Sequence, residues 1–525
     1  MTILISDPIE QICVDILKAE GFDVDIKPNL PVADLKAIID RYDALVIRSG
    51  TKVTAEIIAA AKKMKVIGRA GAGVDNVDVE AATRRGIIVM NTPGGNTVST
   101  AEHTMSMLLS LARNIPQAND SLKKGKWDRK SYIGTELLEK TIGIVGLGKI
   151  GREVAVRCQS FGMVTVGYDP VMSAEVAAKM DVELLPLDEL FHRSDFITVH
   201  TPLTDETRGV IGDKAIAQCK EGVRILNCAR GGIVDEAALL RGLESGKVAG
   251  AALDVFVTEP PGDSPLLMHP RVIATPHLGA STEEAQEKVA KQIGHQVADA
   301  LKERGISGAV NAEAVQLAMR KELKPYVALA EKLGSLQAQV MTGQLKKISV
   351  ACSGAFLTQS MELITAAVLK GIFSHLMSEP VNLVNAPVIA KEMGVIIDEE
   401  RESDNEAYAH LITLKYETTN ESRRFAGTVF GKSHARIVRI DDYHLEINPD
   451  GHLLIYTNID KPGMLASVGS ILAGESINIA GLSLGRDNPG QRALTIINID
   501  SPIPSAVLKK LEQINGVHEV KVVKL

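Results

Sequence analysis

A chain of 525 residues and 56.3 kDa is too long for one hydrophobic core, and at about 150 residues per domain it divides into three or four. Hydrophobic residues at 45% and charged residues at 23% exclude a disordered chain, and a net charge of −7 without a dense Lys/Arg run excludes a general nucleic-acid binder. Cys13, Cys158, Cys219, Cys228 and Cys352 are scattered, with no CxxC pair and no histidine at metal spacing, so reduced thiols and no bound metal are expected.

The N-terminus carries no basic segment, and its apolar run is too short for a signal or a membrane span. A cytoplasmic protein without membrane contact is therefore expected. Strands at 3–6, 24–27, 44–48, 66–69 and 87–91 alternate with helices at 9–20, 32–40, 55–63 and 79–85, the pattern of a parallel sheet covered on both faces. Ligands of such sheets sit beyond the carboxyl ends of the strands. Arg48 and Arg69 close two of those ends, the second beside Ala70-Gly71-Ala72-Gly73. Each alone is also an ordinary loop arginine, but two at equivalent ends point to an anionic substrate held by guanidinium forks.

Residues 91–96 form a turn-rich crossing, followed by one long predicted helix over 99–124. His103 on that helix reads as a packed or capping histidine with no chemistry. Next comes Ile142-Gly143-Ile144-Val145-Gly146-Leu147-Gly148-Lys149-Ile150-Gly151, a buried strand stopping at Gly146 before a helix over 152–161. Gly146 permits the tight turn, Gly148 lets the backbone approach a pyrophosphate, and Gly151 lets helix and strand pack closely. A second strand at 164–168 ends in Asp169, about 20 residues on, where an acid holds a ribose diol. A carboxylate there repels a 2′-phosphate, so the expected cofactor is NAD rather than NADP.

Further strands at 196–200, 224–227, 250–256 and 272–274 each end in a polar or glycine-rich loop. A helix over 282–304 follows, and 310–311 return toward the first sheet. Residues 1–98 and 283–317 are expected to form a substrate-binding domain, with 99–282 inserted as a dinucleotide-binding domain and the active site between them. Arg230, Glu259 and His277 lie on consecutive strand-end loops of the cofactor sheet. Oxidising an alcohol by hydride transfer needs a base for the hydroxyl proton, which suits His277. Glu259 would orient that imidazole and favour its protonated form, and Arg230 can grip a 2-hydroxy acid in two places.

Gly146 to Gly151, Asn227-Cys228-Ala229-Arg230-Gly231-Gly232, Asp254-Val255-Phe256 ahead of Glu259-Pro260, and Pro276-His277-Leu278-Gly279-Ala280-Ser281 resemble the motifs of the D-isomer-specific 2-hydroxyacid dehydrogenases. Gly68-Arg69-Ala70-Gly71-Ala72-Gly73-Val74-Asp75-Asn76 and the extent of the chain most resemble the long branch acting on 3-phospho-D-glycerate. That resemblance implies substrate contacts from Arg48, Arg69, Arg230 and His277. It implies NAD contacts from Gly146, Gly148, Lys149, Ile150, Gly151, Asp169, Thr201, Cys228, Ala229, Asp254, Leu278, Gly279 and Ala280. Ala72 departs, standing where several relatives carry threonine.

From Lys321 the pattern changes. Helices over 326–341 and 359–377, strands at 347–351 and 411–416, a charge-rich loop at 398–406 and a hairpin at 437–440 and 444–447 lead to Asn448-Pro449-Asp450-Gly451. This α+β stretch, 318–451, resembles the intervening domain of the long branch, where an anion can bind. Lys432, His434 and Arg436 are candidates for that anion, or an ordinary basic edge.

Residues 452–525 read strand (453–459), helix (464–473), strand (477–484), strand (492–499), helix (505–514), strand (517–524), a βαββαβ ferredoxin-like order. Asp460-Lys461-Pro462-Gly463-Met464-Leu465 and Ile477-Asn478-Ile479 resemble an ACT domain, an amino-acid-sensing module. By that resemblance Asn458, Asp460 and Asn478 would contact L-serine at a dimer interface, although turn chemistry alone also accounts for them. Taken together the resemblances imply NAD-dependent oxidation of 3-phospho-D-glycerate to 3-phosphohydroxypyruvate by a homotetramer regulated by L-serine. A dehydrogenase for glycerate or 2-hydroxyglutarate, or an NADH-sensing corepressor, is the alternative.

Overall fold

Short runs of leucine, isoleucine and valine buried on both sides, such as Ile3, Leu4 and Ile5 at 0% exposure, build parallel strands sandwiched between helices. In the computed structural model, which describes residues 1–318, 320–402, 407–486, 488 and 490–525, five of these strands form one parallel sheet. Their order is Asp23–Ile26, Thr2–Ile5, Ala44–Ile47, Val66–Arg69, Ile88–Met90. Ile47 pairs with Arg69, so Arg48 and Arg69 emerge beside each other at the carboxyl edge.

A second parallel sheet has seven strands, ordered Val272–Ala274, Val248–Leu253, Val223–Asn227, Phe196–Val199, Thr141–Val145, Val164–Tyr168, Glu183–Leu184. The chain groups into two compact units. One comprises Met1–Arg69, Gly73–Asn91 and Ile293–Leu525, and the other Ala70–Ala72 and Thr92–Gln292. The expected return to the first sheet is present: the Val310 and Asn91 N–H groups bond the Val89 and Gly308 carbonyls, each at 2.9 Å, and the Val89 N–H bonds Asn311 Oδ1 at 2.9 Å.

Three expectations need correction. The helix over 99–124 is two helices, Thr97–Arg113 and Ile115–Lys123, because Asn114 turns left-handed at φ 52° and Pro116 lacks the N–H that would continue the first. The cofactor helix starts at Lys149 rather than 152, with Gly148 as its cap. Within the charge-rich stretch, Ile396–Arg401 is a strand paired in parallel with Leu345–Ser353, and residues 403–406 lie outside the described residues.

That strand edges a six-stranded sheet continuing through Leu345–Ser353, Leu411–Thr418, Ser422–Phe430, His434–Ile440 and Tyr443–Ile447. Helices Lys324–Val340 and Met361–Leu376 pack together beside it. The last four strands, ordered Ile479–Arg486, Arg492–Ile499, His452–Ile459, Val517–Lys524, are all antiparallel, as the βαββαβ order requires. Alternation decides their two faces: Leu454 and Tyr456 pack with helices Met464–Gly474 and Ser505–Glu512, whereas Leu453 and Ile455 join the core of the preceding sheet. No helix among the described residues is long and apolar enough to cross a membrane.

The helix pair crosses on glycine. A Cβ at Gly334 would lie 2.1 Å from the Val368 carbonyl oxygen, and one at Gly371 2.0 Å from that of Glu331. Gly334→Ala is therefore expected to destabilise this region by about 1–3 kcal/mol, the usual cost of overpacking. Gly469→Ala, on a helix with nothing within 4 Å, should be neutral or stabilising by about 0.5–1 kcal/mol. Scanning calorimetry of the full chain checks both; equal effects would show that the crossing does not constrain the fold.

Candidate active site

At the carboxyl end of Thr141–Val145 the three glycines do different work. Gly146 sits at φ 95°, and a Cβ there would lie 2.8 Å from the His200 carbonyl oxygen. At Gly151 it would lie 2.0 Å from the Gly146 carbonyl oxygen. Both are packing constraints. Gly148 instead has nothing within 4 Å of its Cβ position, and it begins helix Lys149–Ser160 without a side-chain cap or an acid in the first turn. Open space beside uncapped N–H groups suits a pyrophosphate. Lys149 reaches back to the Pro93 carbonyl at 3.4 Å, and Ile150 is half-buried.

Asp169 ends the next strand. Its Oδ2 accepts the Leu147 N–H at 2.9 Å, and its Oδ1 accepts those of Val171 and Met172 at 2.9 and 3.0 Å. Burial pushes its pKa up, but those N–H groups and the nearby Arg152 charge outweigh burial and hold the carboxyl below its ordinary range. A fixed negative charge there fits a ribose diol and opposes a phosphate. The Thr201 hydroxyl oxygen is buried without a hydrogen-bond partner among the described residues, which leaves a bond for a ligand. Cys228 is buried, and its thiol is pushed up to about 12, chiefly by burial and then by the charge of Asp254, so it contributes shape.

The three expected reactive residues occupy adjacent loops because Val223–Asn227, Val248–Leu253 and Val272–Ala274 are neighbours in one parallel sheet. Asn227 shapes the first loop, its Oδ1 accepting the Ala229 N–H at 3.0 Å and its Nδ2 donating to the Arg230 carbonyl at 2.8 Å. The Arg230 guanidinium donates to the Ala229 carbonyl at 2.7 Å. Gly231 lies flat on the second loop, where a Cβ would meet the Phe256 carbonyl oxygen at 1.9 Å. Glu259 Oε1 accepts the Phe256 N–H at 3.1 Å, and its Oε2 meets His277 Nδ1 at 2.8 Å. With Nδ1–H given to the carboxylate, a neutral His277 has its basic nitrogen at Nε2. The two side chains are 46% and 40% exposed, open to a ligand.

His277 itself adopts φ 55°, a left-handed conformation that surrounding bonds must hold. Its N–H is shared by the carbonyls of Asp254 and Thr275 at 2.9 and 3.0 Å. The Asp254 carboxylate accepts the N–H groups of Leu278 and Gly279 at 2.7 and 2.9 Å and the Thr275 hydroxyl at 2.6 Å. Its side chain has 0% exposure, and its bonds clamp the 275–279 loop. Ala280 follows, half-buried beyond the clamp. His103, dismissed on sequence, places Nε2 3.1 Å from Asp254 Oδ1. No local spacing could have revealed that, since 151 positions separate the two residues along the sequence.

In the other unit, Asn76 ties the two sheet-end arginines together. Its Oδ1 accepts Arg69 Nε at 2.7 Å, and its Nδ2 donates to the carbonyls of Arg48 and Thr51 at 2.7 and 2.6 Å. Asn76 had stood only as the last residue of a motif. The Arg48 N–H bonds Asp7 at 2.6 Å, and its guanidinium reaches the Pro8 carbonyl at 3.4 Å.

The C-terminal candidates fare unevenly. Asn458 is 2% exposed, its Oδ1 on the Thr495 hydroxyl at 3.0 Å and its Nδ2 on the Ile459 carbonyl at 2.9 Å. Asp460 pairs with Arg486 at 3.1 Å, and Asn478 donates to Asp500 at 2.7 Å. Asp460 and Asn478 remain partly open, whereas Asn458 is a strand-to-strand tie. Arg436 pairs with Glu446 at 3.4 Å, while Lys432 and His434 are exposed at the hairpin tip.

Residues 105–279 match the family described as D-isomer specific 2-hydroxyacid dehydrogenase, NAD binding domain. Residues 322–441 match the D-3-phosphoglycerate dehydrogenase intervening domain, and 452–516 the ACT domain. The chain is 42% identical over 528 residues to D-3-phosphoglycerate dehydrogenase of Archaeoglobus fulgidus, covering 100% of both chains. It is 43% identical to the protein of that name from Methanocaldococcus jannaschii, covering 100% of this chain and 99% of that one. Among solved structures, a D-lactate dehydrogenase from Aquifex aeolicus complexed with NAD and lactic acid has a TM-score of 0.52 at 28% identity, covering 58% of this chain and 96% of that one.

Gly148→Ala should leave thermal stability unchanged while weakening NAD binding about tenfold or more, some 1.4 kcal/mol, because its Cβ fills only the open space. Gly151→Ala should lower the melting temperature first, since its Cβ meets backbone. Calorimetric titration with NAD beside a melting curve separates the two outcomes.

Proposed function

Because the chain belongs to the D-3-phosphoglycerate dehydrogenases, we propose that it oxidises 3-phospho-D-glycerate to 3-phosphohydroxypyruvate and that Arg230, Glu259 and His277 carry the reaction. The chain is an NAD-dependent oxidoreductase. The observation that carries the residue assignment is the 2.8 Å contact between Glu259 Oε2 and His277 Nδ1.

Glu259, itself fixed by the Phe256 N–H, holds the imidazole in one orientation and turns Nε2 outward. In that orientation Nε2 takes the proton of the C2 hydroxyl, and Glu259 stabilises the imidazolium that results. Bound NAD supplies the acceptor for the hydride leaving C2. Arg230 grips the carboxylate of the substrate and, in the reverse direction, polarises the 2-oxo group while His277 returns its proton. Arg48 and Arg69, joined through Asn76, supply positive charge for the remaining anionic groups. Gly146, Gly148 to Gly151, Asp169, Thr201, Cys228, Ala229 and Leu278 to Ala280 line the NAD side, and Asp254 acts through its loop.

The remaining assignments are ours as well. The substrate-binding part is 1–98 with 283–317, the NAD-binding part 99–282, the intervening part 318–451 and the ACT part 452–525. L-Serine is the effector, met by Asp460 and Asn478, in a homotetramer. All five cysteines are free and buried, which suits a cytoplasmic protein.

Assay of the purified chain with NAD and candidate hydroxy acids tests the activity. Turnover of glycerate or 2-hydroxyglutarate with none of phosphoglycerate would refute the substrate. His277→Ala is expected to lower kcat about 10²–10⁴-fold with NAD affinity retained, the range for loss of a general base. Arg69→Ala should instead act mainly on KM for phosphoglycerate. Serine titration of activity, with sizing in solution, checks the effector and the assembly; activity unchanged at saturating serine removes the effector assignment.

A further inference from the structure

We propose that His103 is a positioning residue for the reaction: it completes the bonding of the buried Asp254 carboxylate and so holds the loop that sets His277 in place. This inference rests on the activity proposed above and deepens it. Among the described residues His103 bonds Asp254 and Thr275 rather than Glu259 or His277, so its influence passes through Asp254.

Asp254 is an unusual anchor. From a single buried position its carboxylate and its carbonyl bind Thr275, His277, Leu278 and Gly279, which is nearly the whole loop. Two of those bonds are backbone N–H groups immediately after His277, whose own φ of 55° is sustained only while the loop is fixed. A carboxylate with no exposed surface remains charged only if its acceptor sites are filled. Burial pushes its pKa up, and bonds from His103, Thr275 and the Leu278 N–H more than reverse that rise.

Among the described residues, His103 is the one donor to this carboxylate from outside the 275–279 loop. Its Nε2 lies 3.1 Å from Asp254 Oδ1 and 3.2 Å from the Thr275 hydroxyl, so one N–H bridges the carboxylate and the residue that starts the loop. The helix carrying His103, Thr97–Arg113, grips the loop a second time, where the Ser99 and Thr100 hydroxyls donate to the Gly279 carbonyl at 3.0 and 3.1 Å. The loop is thus held from its own strand through Asp254 and from this helix through Ser99, Thr100 and His103. Removing His103 leaves the carboxylate short of a donor and frees the loop to shift, and displacements of about 1 Å at a reacting group are costly.

The test compares His103→Leu and His103→Gln in the full-length enzyme, by steady-state kinetics and by NAD titration. A glutamine side chain can return an N–H near the Nε2 position; leucine keeps bulk and returns nothing. His103→Leu should lower kcat about tenfold to hundredfold, the scale of a small misplacement of a reacting group, with KM for phosphoglycerate within about twofold. His103→Gln should recover most of kcat. A leucine variant with unchanged kcat, or a glutamine variant as impaired as the leucine one, overturns the proposal. Should the leucine variant not fold, Thr275→Val removes the hydroxyl from the same bridge, and unchanged kcat there overturns it equally. A wild-type chain that turns over only another hydroxy acid would refute the substrate alone, and the variants would then be compared on that acid.

Discussion

The 2.8 Å contact between Glu259 and His277 is the constraint on which the rest of the structure depends. Eighteen positions separate the two residues along the sequence, and they meet because strands Val248–Leu253 and Val272–Ala274 run parallel and adjacent. A parallel sheet puts the carboxyl ends of all its strands on one edge, so loops leaving neighbouring strands share a rim. Arg230 joins the same rim from the third strand, with Gly231 flat against the Phe256 carbonyl. The proposed chemistry is therefore a consequence of strand order before it is a property of any side chain.

Around that rim, hydrogen bonds to backbone do most of the orienting. Glu259 is fixed by the Phe256 N–H, the Arg230 loop by Asn227, and the His277 loop by Asp254. Asn227 and Asp254 are buried polar side chains satisfied by nearby groups, so each costs little to bury and holds its loop against thermal motion. The cofactor side follows the same logic with glycine. Two of the three glycines are forced by packing against carbonyl oxygens, and the one between them leaves a space.

The C-terminal region puts both faces of its last sheet to use. Alternate residues of His452–Ile459 face two helices on one side and the preceding sheet's core on the other, so the two C-terminal parts share hydrophobic surface. The buried Asn458 side chain is bonded to the Thr495 hydroxyl and the Ile459 carbonyl, while Asp460 and Asn478 emerge at the sheet's ends.

Strand and helix alternation, the parallel sheets, the dinucleotide turn and the βαββαβ order all followed from local pattern, because periodicity and glycine spacing are set by neighbours in sequence. The same held for Arg230, Glu259 and His277, which sit at strand ends that the pattern locates. Tertiary structure decided what depends on distant partners. It broke the expected helix at Asn114, whose left-handed turn no periodicity announces, and drew 396–401 into a sheet despite its charges. It joined Arg48 to Arg69 through Asn76, buried Asn458, and bonded Asp254 to both its loop and His103. A hydrogen bond is short-ranged in space and indifferent to separation along the chain, so sequence fixes which groups can bond and only the fold selects which do.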